Sequence, residues 1–368
     1  MNINNLINEI KSNYNNDELT QIINELKLLL VKQESIVETE CKCPHCNSTN
    51  FIKYGKRNEY QCYICKECKK TFTKKTNTIT HYSKISKEIW ESFIEYEFAG
   101  MTLKEESYFT HLSKTTCFHM RHRLYSICHK YMETIKMKGQ TEIDASYTKI
   151  NLKGTKPKNM PRLSKKRGNG SAFSGISHHK VCIIAATDEN DNIFMRISGL
   201  GSESFEKYKK YSSTFKDSNL LVSDSKSSIS QFSNHLGLKH DKIPVKPNQK
   251  RYTTDNGNSI QSLNEICKIV SNITHKYHGV NLRYLEEYIS FNCLKKMLSY
   301  RFKRTEYYDE LMKIIKDIKL KNTKPSIPVD LAEAYWEYNY GIYRHWPIFL
   351  LKIALTIIFF IFHTTFII

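Results

Sequence analysis

The sequence predicts an α/β protein in which a mixed β-sheet flanked by helices follows two smaller modules. Strand-like and helical segments alternate from residue 141 to about residue 300, which is typical of a sheet covered by helices. A cysteine-rich block spans residues 41–74, and apolar residues at helical spacing fill residues 86–135. The 368 residues are enough for two or three domains with separate cores.

Five segments are expected along the chain. They are an N-terminal helical segment (1–38), a cysteine-rich ribbon (39–78), a helix-turn-helix region (79–137), the sheet domain (138–318) and a C-terminal extension with an apolar tail (319–368). Between the first two strands of the sheet, residues 152–180 are rich in Gly, Pro, Ser and Lys. Such a composition predicts a long basic loop without a core.

Two closely spaced cysteine pairs define the ribbon. The motif CPHC contains Cys43 and Cys46, CKEC contains Cys65 and Cys68, and 18 residues separate the pairs. Two such turns bring four thiolates around a tetrahedral zinc ion, which stabilises the fold and does no chemistry. Cys41 and Cys62 compete for the assignment, but the residues between Cys62 and Cys65 suit a strand better than an exposed turn.

The region after the ribbon has the pattern of two helices joined by a turn at Gly100 and followed by a basic third helix. Ser113 is a candidate N-cap of that third helix. The candidate DNA-facing residues around it are Lys114, Thr115, His119, Arg121, His122 and Arg123. The alternative is an ordinary helical hairpin, since many of these also carry basic faces. With a net charge of +19, the pattern favours a polyanion such as DNA, although an AT-rich coding sequence is an alternative source of the lysines.

Two aspartates lie in predicted strands, at positions where sheet proteins often have metal sites. Asp144 lies within the predicted strand TEIDASYTKI (141–150), and Asp224 ends the predicted strand NLLVSD (219–224). Taken singly, Asp144 could be an edge residue and Asp224 a helix cap. Together, on neighbouring strands of a basic chain, they indicate a shared Mg²⁺ site for phosphodiester chemistry, because adjacent carboxylates repel each other unless a cation lies between them.

The ordered motifs CPHC, CKECKKTFT, EIDASY, LVSDSK and NSIQSLNEICK resemble those of bacterial insertion-sequence transposases, over roughly residues 40–300. The resemblance implies an RNase H-like mixed sheet flanked by helices, preceded by a zinc ribbon and a helix-turn-helix. It implies a metal-dependent polynucleotidyl transferase that cuts at the terminal inverted repeats of its element and joins the freed 3′ ends to target DNA. Catalytic Mg²⁺ or Mn²⁺, structural Zn²⁺, double-stranded DNA and a homo-oligomer on DNA are the implied cofactors and partners.

The resemblance also implies a set of catalytic residues. Its first two acids fall on Asp144 and Asp224, and its third ligand, which is Glu or Asn in the family, falls on Asn264 in a helix after the last strand. Glu265 is the competing candidate. Helical spacing places Asn264 beside the apolar stripe of that helix and Glu265 further out, which favours Asn264.

One position departs from the family pattern. The basic residue expected two turns after the third ligand is Ser271 here, so Lys268, one turn after Asn264, is the expected substitute. This departure makes a catalytically inactive relic, which only binds DNA through its zinc ribbon, the alternative function.

The two ends of the sequence bear on location. The first residues lack the basic start and apolar core of a secretory signal, so a reducing cytoplasm is expected, and the 11 cysteines are expected to be metal ligands or thiols. The resemblance implies that this cytoplasm is bacterial and that the protein is associated with the nucleoid. The apolar segment 346–368 approaches the length of a membrane span but contains Lys352 and His363. We expect an interaction tail or added sequence there, and no membrane partner.

Overall fold

The computed structural model describes residues 42–57, 60–154, 175–177, 180–244, 253–304 and 306–318. The chain divides into two compact units, and the boundary follows Thr76. The predicted N-terminal helices, most of the basic insert and the apolar tail lie outside the described residues. Within these ranges, none of the helices combines the length and the apolarity that crossing a membrane would require.

The first unit is a small antiparallel sheet with a very small core. Its strands are β1 (Phe51–Arg57), β2 (Tyr60–Cys65) and β3 (Thr71–Phe72), in the order β1-β2-β3. Phe51, Tyr63 and Phe72 pack ring against ring, with centroids 5.3 to 5.4 Å apart, beside the buried Cys43 and Cys65. Because so few apolar side chains cannot stabilise a domain alone, the unit needs a bound metal or another cross-link.

The second unit begins with three helices, α1 (Lys87–Ala99), α2 (Leu103–Thr110) and α3 (Lys114–Thr134). Gly100 ends α1 with a φ of 92°, a left-handed conformation that glycine adopts without steric cost. Thr102 and Glu105 form a reciprocal capping box at the start of α2. The side chain of Ser113 accepts a hydrogen bond from the backbone N–H of Thr116, so the predicted N-cap of α3 is confirmed.

The sheet of the second unit has five strands in the order β6-β5-β4-β7-β8. They are β4 (Lys138–Lys149), β5 (Lys180–Asp188), β6 (Ile193–Leu200), β7 (Asp217–Asp224) and β8 (Lys239–Ile243). β5 is antiparallel to β4 and β6, whereas β7 is parallel to β4 and β8. Four strands therefore run in one direction, and their carboxyl ends lie at one edge of the sheet.

Helices follow and cover these strands. They are α4 (Phe205–Lys209), a 3₁₀ turn (Ser212–Thr214), α5 (Ser227–Leu236), α6 (Gln261–Lys276), α7 (Leu282–Arg301) and α8 (Tyr307–Asp317). The predicted mixed sheet flanked by helices is confirmed. The sequence pattern also predicts one helix near residues 203–214 and a strand that begins at Lys242. The structure instead has two short helical pieces in the first region, and β8 begins three residues earlier, at Lys239.

The sheet is covered on both faces, so the interior strand β5 is buried on both sides, and its residues 181–186 are all apolar. On one face Ile183 and Ala185 pack in a core that also contains residues of α1, α3, α6, α7 and α8. On the other face Ile184 and Ala186 pack with the aromatic rings of Tyr208, Phe215 and Phe232. Helices α1 and α3 and the sheet therefore share one core.

One residue predicted to face DNA is buried in this core. Arg121 is 3% exposed; its Nε bonds Glu97 of α1, and its Nη2 lies 2.9 Å from Oε1 of Glu106 in α2. The hydroxyl of Tyr125 donates to the second oxygen of Glu97 at 2.9 Å. Burial, and then the charge of Glu97, raise the pKa of Glu106 to about 8. The assignment of Arg121 to a DNA-facing surface was wrong, because two glutamates on neighbouring helices require a buried cation.

Replacing Arg121 by Met is expected to destabilise the second unit by about 3 to 5 kcal/mol, because it leaves two buried carboxylates without their cation. Urea unfolding monitored by circular dichroism measures the loss. Lys114→Met, on the exposed first turn of the same helix, is the matched control and should change stability by less than about 0.5 kcal/mol. Equal effects of the two substitutions would contradict this account of the network.

Candidate metal centres and nucleic-acid interface

The four predicted zinc ligands meet in the first unit. The sulfur atoms of Cys43, Cys46, Cys65 and Cys68 all lie within 4.8 Å of one another. Cys43 and Cys68 are 3.7 Å apart, and Cys46 and Cys65 are 3.5 Å apart. Tetrahedral zinc with Zn–S bonds of about 2.3 Å places its sulfurs about 3.8 Å apart, so the cluster fits this ion. Cys62 is buried on β2 outside the cluster, and Cys41 lies outside the described residues.

Both cysteine pairs sit on the same type of turn. The residue after each pair, Asn47 or Lys69, has a left-handed φ of 62° or 56°. Its N–H donates to the carbonyl of the first cysteine of the pair, at 2.8 Å and 3.0 Å respectively. In the second turn, backbone N–H groups of Cys68 and Glu67 lower the pKa of the Cys65 thiol to about 7. This turn favours the thiolate that a metal needs.

The two predicted aspartates also meet, at the edge of the sheet where the parallel strands end. Asp144 lies within β4, and Asp224 is the last residue of the neighbouring parallel strand β7. Between them lies the ammonium of Lys226, whose Nζ is 2.6 Å from Oδ1 of Asp144 and 3.5 Å from Oδ2 of Asp224. A single cation therefore bridges the two acids in this structure.

A third carboxylate, missed by the sequence analysis, contacts the same ammonium. Oε1 of Glu203 lies 2.8 Å from Nζ of Lys226, and its side chain is only 10% exposed. Glu203 follows β6, which runs in the same direction as β4 and β7, so it lies at the same edge of the sheet as Asp224. The strand direction was the available signal, since ligands gather at carboxyl ends of such strands.

The charges of the cluster perturb one another. Burial and then the negative charge of Asp144 raise the pKa of Asp224. Burial disfavours the charge of Lys226, but Asp144 and Glu203 nevertheless raise its pKa. Oδ1 of Asp224 is buried and has no hydrogen-bond partner among the described residues. A buried carboxylate oxygen without a donor is costly in a folded protein, and it is the kind of atom that a bound cation would satisfy.

The remaining predicted catalytic residues lie on α6. Asn264 and Lys268 are exposed, and no hydrogen bond or ion pair joins either side chain to the two aspartates in the part of the chain that the structure describes. Glu265 is also exposed and pairs with Lys296 at 2.5 Å. The contacts in the structure thus join Asp144 to Asp224 through Lys226, whereas the roles of Asn264 and Lys268 stay predictions.

The first turns of α3 form the exposed part of the predicted nucleic-acid interface. Lys114, Thr115 and His119 are exposed. His122 packs against the rings of Phe118 and Tyr284, with centroids 4.3 and 4.1 Å away, and Arg123 is half-buried and donates to the carbonyl of Thr78. The predicted surface is therefore reduced to the N-terminal end of the helix.

Known proteins were compared with the chain. No protein-family profile matches it. It is similar to an uncharacterised protein in the transposable element ISH50 of Halobacterium salinarum, with 26% identity over 138 residues, which cover 35% of this chain and 44% of that protein. The chain therefore spans less than half the length of this relative.

Two solved transposase structures were also matched, a pre-cleavage Mos1 transpososome and the Mos1 mariner paired-end complex with Mn. Identities are 8% and 9%, TM-scores are 0.16 and 0.18, and each match covers 62% of this chain and 79% of the other. TM-scores this low carry no argument about this protein. What the comparisons establish is a relationship, over about a third of the chain, to a protein of a transposable element.

Proposed function

We propose that this chain is a transposase that binds the ends of a mobile DNA element and catalyses metal-dependent strand cleavage and strand transfer. The observation that carries the proposal is the meeting of Asp144 and Asp224 at the carboxyl edge of a mixed sheet. The four-cysteine ribbon, the net charge of +19 and the relationship to a transposable-element protein support it.

The acidic cluster fits a hard divalent cation such as Mg²⁺ or Mn²⁺. It offers several carboxylate oxygens, one of them buried without a donor, and its acids already require the cation of Lys226. Asp144 and Asp224 would hold the metal, which when bound supplies charge stabilisation to a phosphodiester and lowers the pKa of an attacking water or hydroxyl. Asn264 as a further ligand, with Lys268 beside it, rests on the family resemblance alone.

The ribbon and α3 would bind the DNA. Lys53, Lys56 and Arg57 are exposed along β1, beside the exposed ring of Tyr54, and such a surface suits phosphate contacts. The zinc would only hold the ribbon together. Joining two element ends would require at least two copies of the chain on DNA, which is the reason to expect a homo-oligomer, working in the bacterial cytoplasm and nucleoid.

Lys114→Ala is expected to weaken binding to element-end DNA about equally for all sequences and to reduce the magnitude of the salt slope by about 1, as for the loss of one phosphate contact. Binding titrations at several salt concentrations measure both quantities. Lys136→Ala, an exposed lysine just beyond the opposite end of α3, is the control that removes the same charge. Equal losses of DNA affinity for both variants would show that Lys114 acts only through the net charge of the chain and not through a phosphate contact.

The experiment that tests the proposal uses the full chain with labelled duplexes that carry the inverted repeats flanking its gene. With Mg²⁺ or Mn²⁺, nicks at the repeat ends are expected, and with a chelator none. Binding without nicking under either metal would overturn the proposal in favour of the inactive DNA-binding relic. Absence of both binding and nicking would contradict both functions.

A further inference from the structure

We propose that Glu203 is a third carboxylate ligand of the divalent metal held by Asp144 and Asp224, with Lys226 occupying the position of that metal when none is bound. The inference rests on the proposed function, because it concerns the same site, but it assigns a ligand from the loop after β6 that no sequence motif indicates. It differs from the expectation that a residue of α6 completes the site.

The first observation is that three carboxylates share one cation. Nζ of Lys226 lies 2.6 Å from Asp144, 2.8 Å from Glu203 and 3.5 Å from Asp224. Because all three oxygens lie within 3.5 Å of the same nitrogen, they surround one position. Minor side-chain movements would bring all three to one small ion at that position. Oxygen ligands of this kind are those that Mg²⁺ and Mn²⁺ prefer.

The second observation is the charge of the cluster. Three ionised carboxylates and one ammonium leave two negative charges in a partly buried pocket. Such an excess is unfavourable away from bulk water, and a divalent cation would neutralise it. Lys226 is 34% exposed, so its flexible side chain has solvent into which it can withdraw when the metal enters.

The third observation is that Glu203 is held in place by other groups. The hydroxyl of Tyr208 donates to its Oε2, and the hydroxyl of Tyr147 lies 3.4 Å from its Oε1. The backbone N–H of Glu203 in turn donates to the Tyr147 oxygen at 3.1 Å. The two phenols hold the carboxylate with its Oε1 on Nζ of Lys226, as expected of a pre-oriented ligand.

The candidates on α6 lack these features. Asn264 is exposed, and Glu265 is exposed and already paired with Lys296. Burial and then the charge of Asp144 raise the pKa of Cys267 on α6 to about 11, but a thiol is a poor ligand for a hard cation. Among the described residues, Glu203 is the third acid in contact with Lys226, the lysine that also contacts both aspartates.

The test measures Mn²⁺ affinity of the zinc-loaded full chain, from the electron paramagnetic resonance signal of free Mn²⁺. Glu203→Gln is expected to weaken Mn²⁺ binding about tenfold or more, whereas Asn264→Ala should leave it within about twofold. Glu206→Gln is the matched control, because Glu206 is exposed on α4 three residues away and its replacement removes the same charge. The Mn²⁺ affinity of Glu206→Gln should also stay within about twofold of that of the unaltered chain.

Retention of Mn²⁺ affinity by Glu203→Gln, together with its loss in Asp144→Asn, would overturn the inference. Because Glu203→Gln could disturb the fold, a second measurement uses the unaltered chain loaded with Fe²⁺ and treated with ascorbate and peroxide. Backbone cuts are expected near residue 203 as well as near 144 and 224, and cuts at only the latter two would also overturn it.

The two proposals fail in different ways. If Glu203→Gln loses Mn²⁺ and the unaltered chain never cuts DNA, Glu203 is a ligand and the transposase proposal is wrong. If the unaltered chain cuts DNA and Glu203→Gln keeps its Mn²⁺, the transposase proposal holds and Glu203 is not a ligand.

Discussion

Cys65→Ser is expected to abolish zinc binding and unfold the first unit. The unit has three aromatic rings as its core, so the metal must contribute most of its folding free energy, and structural zinc sites supply roughly 10 to 16 kcal/mol. Three remaining thiolates cannot complete the tetrahedral set. Zinc content should fall from one ion per chain to less than about one-tenth, and residues 42–76 should become sensitive to proteases.

Cys62→Ser is the matched control for this prediction. Cys62 lies on the same strand as Cys65 and its side chain is also buried, but it is outside the four-sulfur cluster. We expect this variant to keep one zinc per chain. Loss of zinc in both Cys62→Ser and Cys65→Ser, with retention in Cys68→Ser, would instead assign the site to the alternative pairing of Cys62 with Cys65.

Asp144→Asn and Asp224→Asn are each expected to lower the DNA cleavage rate about 10³-fold, which corresponds to about 4 kcal/mol of lost transition-state stabilisation. Each variant removes one negative charge from the cluster that would hold the metal. The measurement is the single-turnover nicking rate on end DNA at saturating Mn²⁺. DNA affinity should be nearly unchanged, because neither aspartate is expected to contact phosphates directly.

Asp217→Asn is the control, because Asp217 is exposed at the opposite end of the same strand β7. Its rate should stay within about twofold of the unaltered chain. Asp144 variants that keep more than about a tenth of the cleavage rate would contradict the assignment of the metal centre to this edge of the sheet.

The parts of the structure that depend on local geometry could be predicted from the sequence. The cysteine turns, the cap at Ser113 and the turn at Gly100 each depend on a few consecutive residues, and all were identified. The pairing of Asp144 with Asp224 followed from the direction of two strands and the position of each acid along its strand.

The parts that depend on tertiary structure could not be predicted. Arg121 was assigned to the surface because it is charged, and only the packing of α1 and α2 against α3 reveals the two glutamates that bury it. Glu203 was missed because β6 and β4 are separated by β5, and no local pattern places their ends together. The role of Lys226 could not be predicted for the same reason, since it depends on contacts with three acids that are far apart in the chain.

Strand joining with pre-cut element ends tests the central claim most directly, because it bypasses end cleavage and measures transfer alone. The full chain, a target plasmid and labelled ends with free 3′ hydroxyls are incubated with Mg²⁺ or Mn²⁺. The account predicts labelled ends joined to the plasmid, with no product when a chelator is present or Asp224 is replaced by Asn. Stable binding of the ends without joined product under either metal would contradict it and leave a DNA-binding relic.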